Sequence, residues 1–415
     1  MNKANTIRLT ALLLAILMLS SLLASCKDGS ETETETDTGA NAPSVSGSAD
    51  TESVGTKPAE TEPAETEPLP LTYDTLTVDH EMALTYAKKF SVTYYKGGYK
   101  LINVADGSKL FVVPENTDIP DGIPEDVFVL CQPVTDIMIS SNPTASLINA
   151  IGALDAVTMT TTDTGAWYID DIKAAMTAGR LSYIGEYDAP DYERIASSGC
   201  KLAVYSGMLT DEVKTQLETL GVHVLLDMTT EEEHPLARVE WVKLYGALFN
   251  LEDKANEVFD AQAKYVDEIS QLSAGGKTAV IFYITSSGKL YARKAGDYMT
   301  KMLELAGGTY ILSDVGVGET GTVNMEAEAF YDAAKDADFI IYVWSMGGKP
   351  STLSDMLERS PILSEMKAVK DGNVWCTTPD YFQISDTLGS MINDIHLMFE
   401  ADGGTDSLTY LVRLK

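Results

Sequence analysis

From Leu71 onward the chain switches between two hydrophobic periods, the two-residue period of strands and the three-to-four-residue period of helices, and the switches divide it into elements. Residues 83–113, "ALTYAKKFSVTYYKGGYKLINVADGSKLFVV", keep the strand period and are interrupted by "KGG" and "ADGS", so they predict a β-meander at the edge of a first lobe. Short apolar runs then alternate with helical stretches. "VFVLC" (127–131), "SLINAIGAL" (146–154), "AVTMT" (156–160), "WYIDDIKAAMTA" (167–178), "YERIASSG" (192–199), "KLAVYS" (201–206), "DEVKTQLETLG" (211–221) and "VHVLLD" (222–227) predict a parallel sheet with helices on both faces. The same grammar returns in "TAVIFYI" (278–284), "DYMTKMLELAGG" (297–308), "EAFYDAAKDA" (328–337), "DFIIYVWS" (338–345), "GNVWCTT" and the closing helix "DTLGSMINDIHLMFE". Between the two series, residues 235–272 hold apolar positions at helical spacing without a break. At 1.5 Å per residue this predicts one strut of roughly 50 Å, stiff enough to allow little closure of one lobe on the other. The three acids before it suit the positive end of its dipole, and Pro235 sits near its first turn. The fold class is α/β: a lobe over 71–235, a linking helix over 236–272 and a lobe over 273–415.

The first 70 residues follow neither period. Lys3 and Arg8 precede an apolar run from Ala11 to Leu23, too short to span a bilayer, and "LLASC" closes it, as in a lipoprotein signal over 1–26 with Cys26 as the lipidated residue. Residues 27–70 are rich in Thr, Glu, Ser, Pro and Gly with almost no large apolar side chain, and "PAETE" is repeated directly; such a segment cannot bury enough apolar area to offset its ordering entropy and predicts a disordered acidic tether. The net charge of −32, of which the body keeps about −25, argues against nucleic acid and against direct adsorption to anionic lipid. The membrane link is then the lipid anchor, on the outer face of the bacterial cytoplasmic membrane.

Few groups offer chemistry. Cys131, Cys200 and Cys376 have no CxxC spacing and read as small buried hydrophobes. His80, His223, His234 and His396 form no HxxxH or HExxH pattern, so no bare metal site is expected. GxSxG, P-loop and metalloprotease signatures are absent, as is a GxGxxG directly after a strand, and the adjacent Asp170 and Asp171 would point about 100° apart on a helix, so no enzyme is expected. His234 and Arg238 lie one turn apart near the start of the linking helix. Contact with a ligand and, for Arg238, an ion pair with Glu231, Glu232, Glu233 or Glu240 both fit.

Signal, tether, two lobes and a linking helix together resemble the substrate-binding lipoproteins of ABC importers, in the cluster that carries ferric siderophores, haem and cobalamin. The resemblance runs over about residues 115–400. "DYERIASSGCKLAVYS" is similar to the cluster's Glu-bearing helix and strand, "HPLARVEWVKLYGALF" to its linker signature, "ARKAGDYMTKMLELAGG" to its second-lobe helix and "MEAEAFYDAAKDADFIIY" to the second copy of the Glu element. It implies two Rossmann-like lobes, a monomer, a permease dimer with its ATPase as partner, and an iron chelate or metal-containing tetrapyrrole as cargo, with no cofactor. Ferric siderophore comes first, haem or cobalamin second, and a surface adhesin is a less favoured alternative. Glu193 and Glu328 match the acids that dock on the permease, with Glu326 as a rival. Candidate ligand contacts, at strand ends facing the cleft, are Ser140, Ser141 and Asn142, Trp167, Tyr187, Met208, Arg238, Tyr291, Arg293, Trp344, Met346, Tyr381 and Gln383. Among them Arg293 suits a carboxylate or an anionic chelate, and the aromatics offer flat apolar area.

Overall fold

Strands form where the two-residue period is clearest, and in the computed structural model, which describes residues 71–272, 276–344, 350–401 and 405–415, they build three main sheets. The signal, Cys26, the tether and Met346 lie outside the described residues. The first sheet contains β1 (Val78–Glu81), β2 (Phe90–Tyr95), β3 (Lys100–Val104), β4 (Lys109–Val113) and β5 (Phe128–Cys131) in that order. β1 to β4 are antiparallel, as the meander predicts, and β5 joins β4 in parallel. The run at 127–131 is therefore a strand of this sheet and not of the lobe's parallel one. Alternation sorts its faces: Phe90, Val92, Ile102, Leu110 and Val112 enter the main core, whereas Tyr99, Phe111 and Val113 form a small second cluster.

The second sheet has β6 (Ile137–Ile139), β7 (Val157–Thr160), β8 (Ser182–Tyr183), β11 (Leu202–Tyr205) and β12 (His223–Leu226) in the order β12-β11-β6-β7-β8, all parallel; a two-residue hairpin, β9 (Gly185–Glu186) with β10 (Ala189–Pro190), lies apart. Ile137, Ile139, Leu202, Val204 and Leu225 pack with Leu147 of α1 (Asn142–Ala150) and Ile172 of α2 (Asp170–Thr177). Met138, Met159, Ala203, Tyr205 and Val224 pack with Ile195 of α3 (Tyr192–Ser198) and Leu217 of α4 (Asp211–Thr219). Helices thus cover both faces, as the sequence predicts.

The linking region departs from expectation. It is helical nearly throughout but in three pieces, α5 (Pro235–Glu240), α6 (Val242–Phe249) and α7 (Glu252–Ser270), so the single 50 Å strut is replaced by a folded-back bundle. Asn250, at φ 58°, ends α6 in the left-handed region, which Asn tolerates better than most residues. Its side chain accepts from Lys100 Nζ at 2.5 Å and donates to Gln132 at 2.8 Å, so the chain reverses and α7 returns along α6. Gly246 makes the close approach possible, because a Cβ there would stand 2.6 Å from that of Ala255. Helical spacing cannot reveal a reversal within an apolar run.

The second lobe has β13 (Thr278–Ile284), β14 (Leu290–Arg293), β15 (Thr309–Tyr310), β16 (Thr322–Met325), β17 (Phe339–Tyr342), β18 (Val374–Thr377) and β19 (Leu411–Arg413), with α8 (Tyr298–Leu305), α9 (Ala327–Ala334), α10 (Leu353–Arg359), α11 (Lys367–Lys370) and α12 (Leu388–Glu400). Its sheet is mixed: β13, β17 and β18 are parallel, β15 joins β13 in parallel, and antiparallel pairing joins β14 to β13, β16 to β14 and β19 to β18. The turn "TSSGK" is why β14 returns beside β13, a hairpin where the expected pattern has a helical crossover. α5 packs on α8 and α12, α6 on α1, and α7 on α12, and one apolar core runs through both lobes. Separating the lobes would have to open that core, so any stiffness between them would have its source in packing and not in a rod.

Where β12 meets the meander sheet, the half-buried His223 ring stacks on Phe128 at 4.4 Å, and burial lowers its pKa to about 4. A histidine depressed in the folded state contributes stability above its unfolded value near 6.5 and loses it as pH falls toward 4. Up to about 3 kcal/mol of stability is therefore expected to disappear over that window. His223→Phe removes this part of the acid loss; an unchanged profile in urea denaturation from pH 7 to 4 would refute the assignment.

Candidate functional site

Strand ends of the second lobe meet one loop of the first around a cavity of ≈ 760 Å³. Ala166 and Tyr168 line it from the first lobe; Tyr283, Thr285, Ser286, Arg293, Gly321, Thr322, Trp344, Tyr381 and Phe382 line it from the second. This is the size of a small-molecule site, and its wall is mainly aromatic. Tyr168 sets its edge against Trp344 at 5.4 Å, Phe382 lies parallel to Trp344 at 6.2 Å, and Tyr291 backs Tyr283 at 5.3 Å.

Arg293, at the end of β14, is the one cation on the described wall, and its side chain is 13% exposed. Its hydrogen bonds are loose: Nη1 lies 3.4 Å from Asp297 Oδ2, Nη2 lies 3.3 Å from the Tyr381 hydroxyl, and the buried Nε has no partner among the described residues. Burial alone would depress this guanidinium, but Asp297 with Tyr381, Tyr298 and Tyr283 holds it above its ordinary value, so it stays charged. Asp297 is itself fixed, Oδ1 accepting from Met299 N–H at the start of α8 and Oδ2 from Gly321 N–H. A charged, desolvated and under-coordinated guanidinium in an apolar cavity can take an anionic oxygen with two or three short bonds. On its other side Asp297 lines a second cavity of ≈ 580 Å³ with Tyr86, Lys88, His234 and Lys301.

The structure brings together Arg293, Trp344 and Tyr381 of the expected contacts. Trp167 is 1% exposed, its ring in the main core and its Nε1 donating to Thr162 O; the extended backbone there turns Tyr168 to the cavity instead. Gln383 is likewise buried, and Phe382 beside it reaches the cavity. Tyr291 stands behind Tyr283, one strand away. Ser141 caps α1, accepting from Thr144 N–H; Ser140 accepts from Thr161, and Asn142 from Thr162. Tyr187 packs on the cluster under α3 and α4, and Met208 is an exposed loop residue; neither lines the cavity. Arg238 does not line this cavity, and it forms no ion pair with the side chains of Glu231, Glu232, Glu233 or Glu240. It donates to the carbonyls of Glu232 and Thr230 and lies 3.8 Å over the Tyr298 ring, while Glu240 pairs with Lys243. His234 is the N-cap of α5, its Nδ1 accepting from Leu236 N–H and its ring stacked on Tyr86.

On the surface, Glu193 and Glu328 are each the exposed second residue of a helix, α3 and α9, that leads into a buried strand ending in Tyr205 or Tyr342. Glu326 is the residue before α9, so Glu328 holds the place that matches Glu193.

Residues 139–381 match the family model described as periplasmic binding protein. An uncharacterized lipoprotein of Methanocaldococcus jannaschii is 27% identical over 326 residues, 72% of this chain and 77% of the relative; a second from that organism is 26% identical over 345 residues, 80% and 86%. Among solved structures, a periplasmic heme-binding protein from Pseudomonas aeruginosa aligns with TM-score 0.53 and 14% identity over 68% of this chain and 98% of its own. An ABC-type Fe3+-hydroxamate transport protein from Saccharomonospora viridis gives 0.52 and 21% over 65% and 94%, and a petrobactin-binding protein from Bacillus subtilis 0.54 and 12% over 76% and 100%.

Proposed function

The chain belongs to the periplasmic binding protein family, and from that premise we propose that it is the lipid-anchored receptor of an ABC importer, taking an iron chelate in the cavity between its lobes. The observation that carries this reading is Arg293: a half-buried cation, loosely bonded, facing a cavity walled by aromatic rings. A chelate with an anionic oxygen and flat apolar flanks meets both features, and in this reading the metal arrives already chelated. Ferric siderophores are the first cargo class. Haem is the second, favoured by the parallel Trp344 and Phe382 rings; the aligned structures, binding proteins for heme and petrobactin and one of Fe3+-hydroxamate transport, agree with both. No helix among the described residues is long and apolar enough to cross a membrane, and attachment in this reading is the lipid on Cys26. Glu193 and Glu328 dock the loaded receptor on the permease.

Tryptophan fluorescence tests the reading, because Trp344 lines the cavity while Trp167, Trp241 and Trp375 are buried in the core. Titrating the full chain with ferrichrome, ferric catecholates, haemin, cyanocobalamin and plain ferric salts is expected to give saturable, submicromolar quenching by one chelate class that Trp344→Phe removes. Folded protein that answers none of them would overturn the proposal. The variant with Glu193→Lys and Glu328→Lys should bind cargo normally yet fail to stimulate permease vesicles; full stimulation would remove the docking role alone.

A further inference from the structure

Gln383 lies on the loop between β18 and α12 and is fully buried, yet both ends of its amide cross the cleft. Oε1 accepts from Tyr168 N–H at 2.8 Å and Nε2 donates to Ala166 C=O at 2.8 Å, the two groups a neighbouring strand would have taken. Between them Trp167 sinks into the core, so residues 166–168 are held from below by an indole and from the side by an amide. We propose that Gln383 is a positioning residue for cargo capture: it fixes the backbone of Tyr168, and through it the ring that closes the aromatic wall against Trp344 and Phe382.

Three observations point the same way. The amide is not presented to a ligand, because its oxygen and one of its N–H groups are already in short bonds and the residue has no exposed surface. Tyr168 and Ala166 are the first lobe's whole contribution to the described cavity wall, so whatever sets them sets that lobe's share of the contact. A second tie, Ser385 N–H to Ser146 Oγ at 3.0 Å, joins the lobes two residues further on and keeps the loop in register when the amide is removed. Cargo therefore meets a first-lobe edge ordered in advance, which lowers the entropy lost on binding and slows departure.

The inference rests on the cavity being the cargo site, and the test separates the two. Gln383→Leu keeps the volume and deletes both bonds; Gln383→Glu keeps one. The ionised carboxylate still accepts from Tyr168 N–H but sets lone pairs against Ala166 C=O. Once protonated, its hydroxyl donates to that carbonyl and restores the pair. The ionisable neighbours are Asp380, Tyr381 and Asp386 on its own loop and Tyr168, under Lys173, across the cleft; the wild-type profile over the same range accounts for them. Full-length wild type, Gln383→Leu and Gln383→Glu are titrated with haemin and with ferrichrome, and exchange of the Tyr168 amide hydrogen is followed without any probe. The expected result is roughly tenfold weaker binding and at least about a hundredfold faster Tyr168 exchange in the leucine variant. The glutamate variant should recover both as pH falls, while wild type and leucine do not. Unchanged Tyr168 exchange, or a glutamate variant without pH recovery, overturns the assignment even if the leucine variant fails to fold. If wild type binds neither probe nor any other chelate, the cargo reading falls and the exchange measurement alone decides the role of Gln383.

Discussion

Replacing Arg293 by Gln is expected to weaken the binding of haemin, a chelate that carries carboxylates, about a hundredfold or more, close to 2.7 kcal/mol, while ferrichrome, which is neutral, stays within about threefold. The asymmetry follows from the site. Deleting the guanidinium removes the cation on the described wall but leaves the rings of Tyr168, Tyr283, Trp344 and Phe382 in place, so apolar contact survives and charge pairing does not. The variant also leaves Asp297, 3% exposed, with N–H donors from Met299 and Gly321 but without its ion-pair partner, so some loss of stability should accompany it. Arg293→Lys tests the geometry: a point charge on a flexible stem keeps the sign but cannot offer two parallel bonds, and should recover part of the affinity. Equal losses for haemin and ferrichrome would mean that Arg293 supports the wall and does not contact the anion.

Much of this site was legible in the sequence at the level of segments and not at the level of facing. The loop at 166–168, the strand ends at 283–293 and the turn at 381–383 were all identifiable as cleft-facing from the two-lobe pattern. Within each, the choice between neighbours depends on one step of alternation, and an isolated loop of three residues carries no period from which to read it. Trp167 and Gln383 are accordingly one position from the residues that reach the cavity, and Tyr291 is one strand away. Arg293 was legible because a charge at a strand end facing the cleft is informative by itself. The reversal at Asn250 was not, since the apolar stripe runs on through it. The three acids before Pro235 illustrate the same limit. Read alone they suit a helix dipole, yet Glu232 turns away to accept N–H groups of Lys88 and Lys89, far off in sequence, together with the Trp241 indole.

Glu240 takes that long-range pairing furthest, and its loss should be the most damaging single change to the fold. Fully buried in α5, its carboxylate accepts the backbone N–H groups of Thr85, Tyr86 and Ala87 at 2.8 to 3.1 Å and pairs with Lys243 at 2.9 Å. Together with Glu232 it receives five successive N–H groups, those of residues 85–89, and so ties the segment that leads into β2 to the central helices. Glu240→Ala strands three of those donors and the Lys243 ammonium in the interior at once. Breaking a buried pair in this way costs about 3–5 kcal/mol, and with three orphaned N–H groups the upper end, about 5 kcal/mol, is expected in urea denaturation. Against a total of about 5–15 kcal/mol for a typical folded protein that is a large share. Glu240→Gln keeps the shape and one acceptor but turns an NH2 toward donors, so it should fall between. The exposed pair Lys254 with Glu257 makes the control: screened by water, its removal should change stability by less than about 0.5 kcal/mol. Should Glu240→Ala cost no more than that control, the segment before β2 is held by its own packing and the carboxylate only fills the space beneath it.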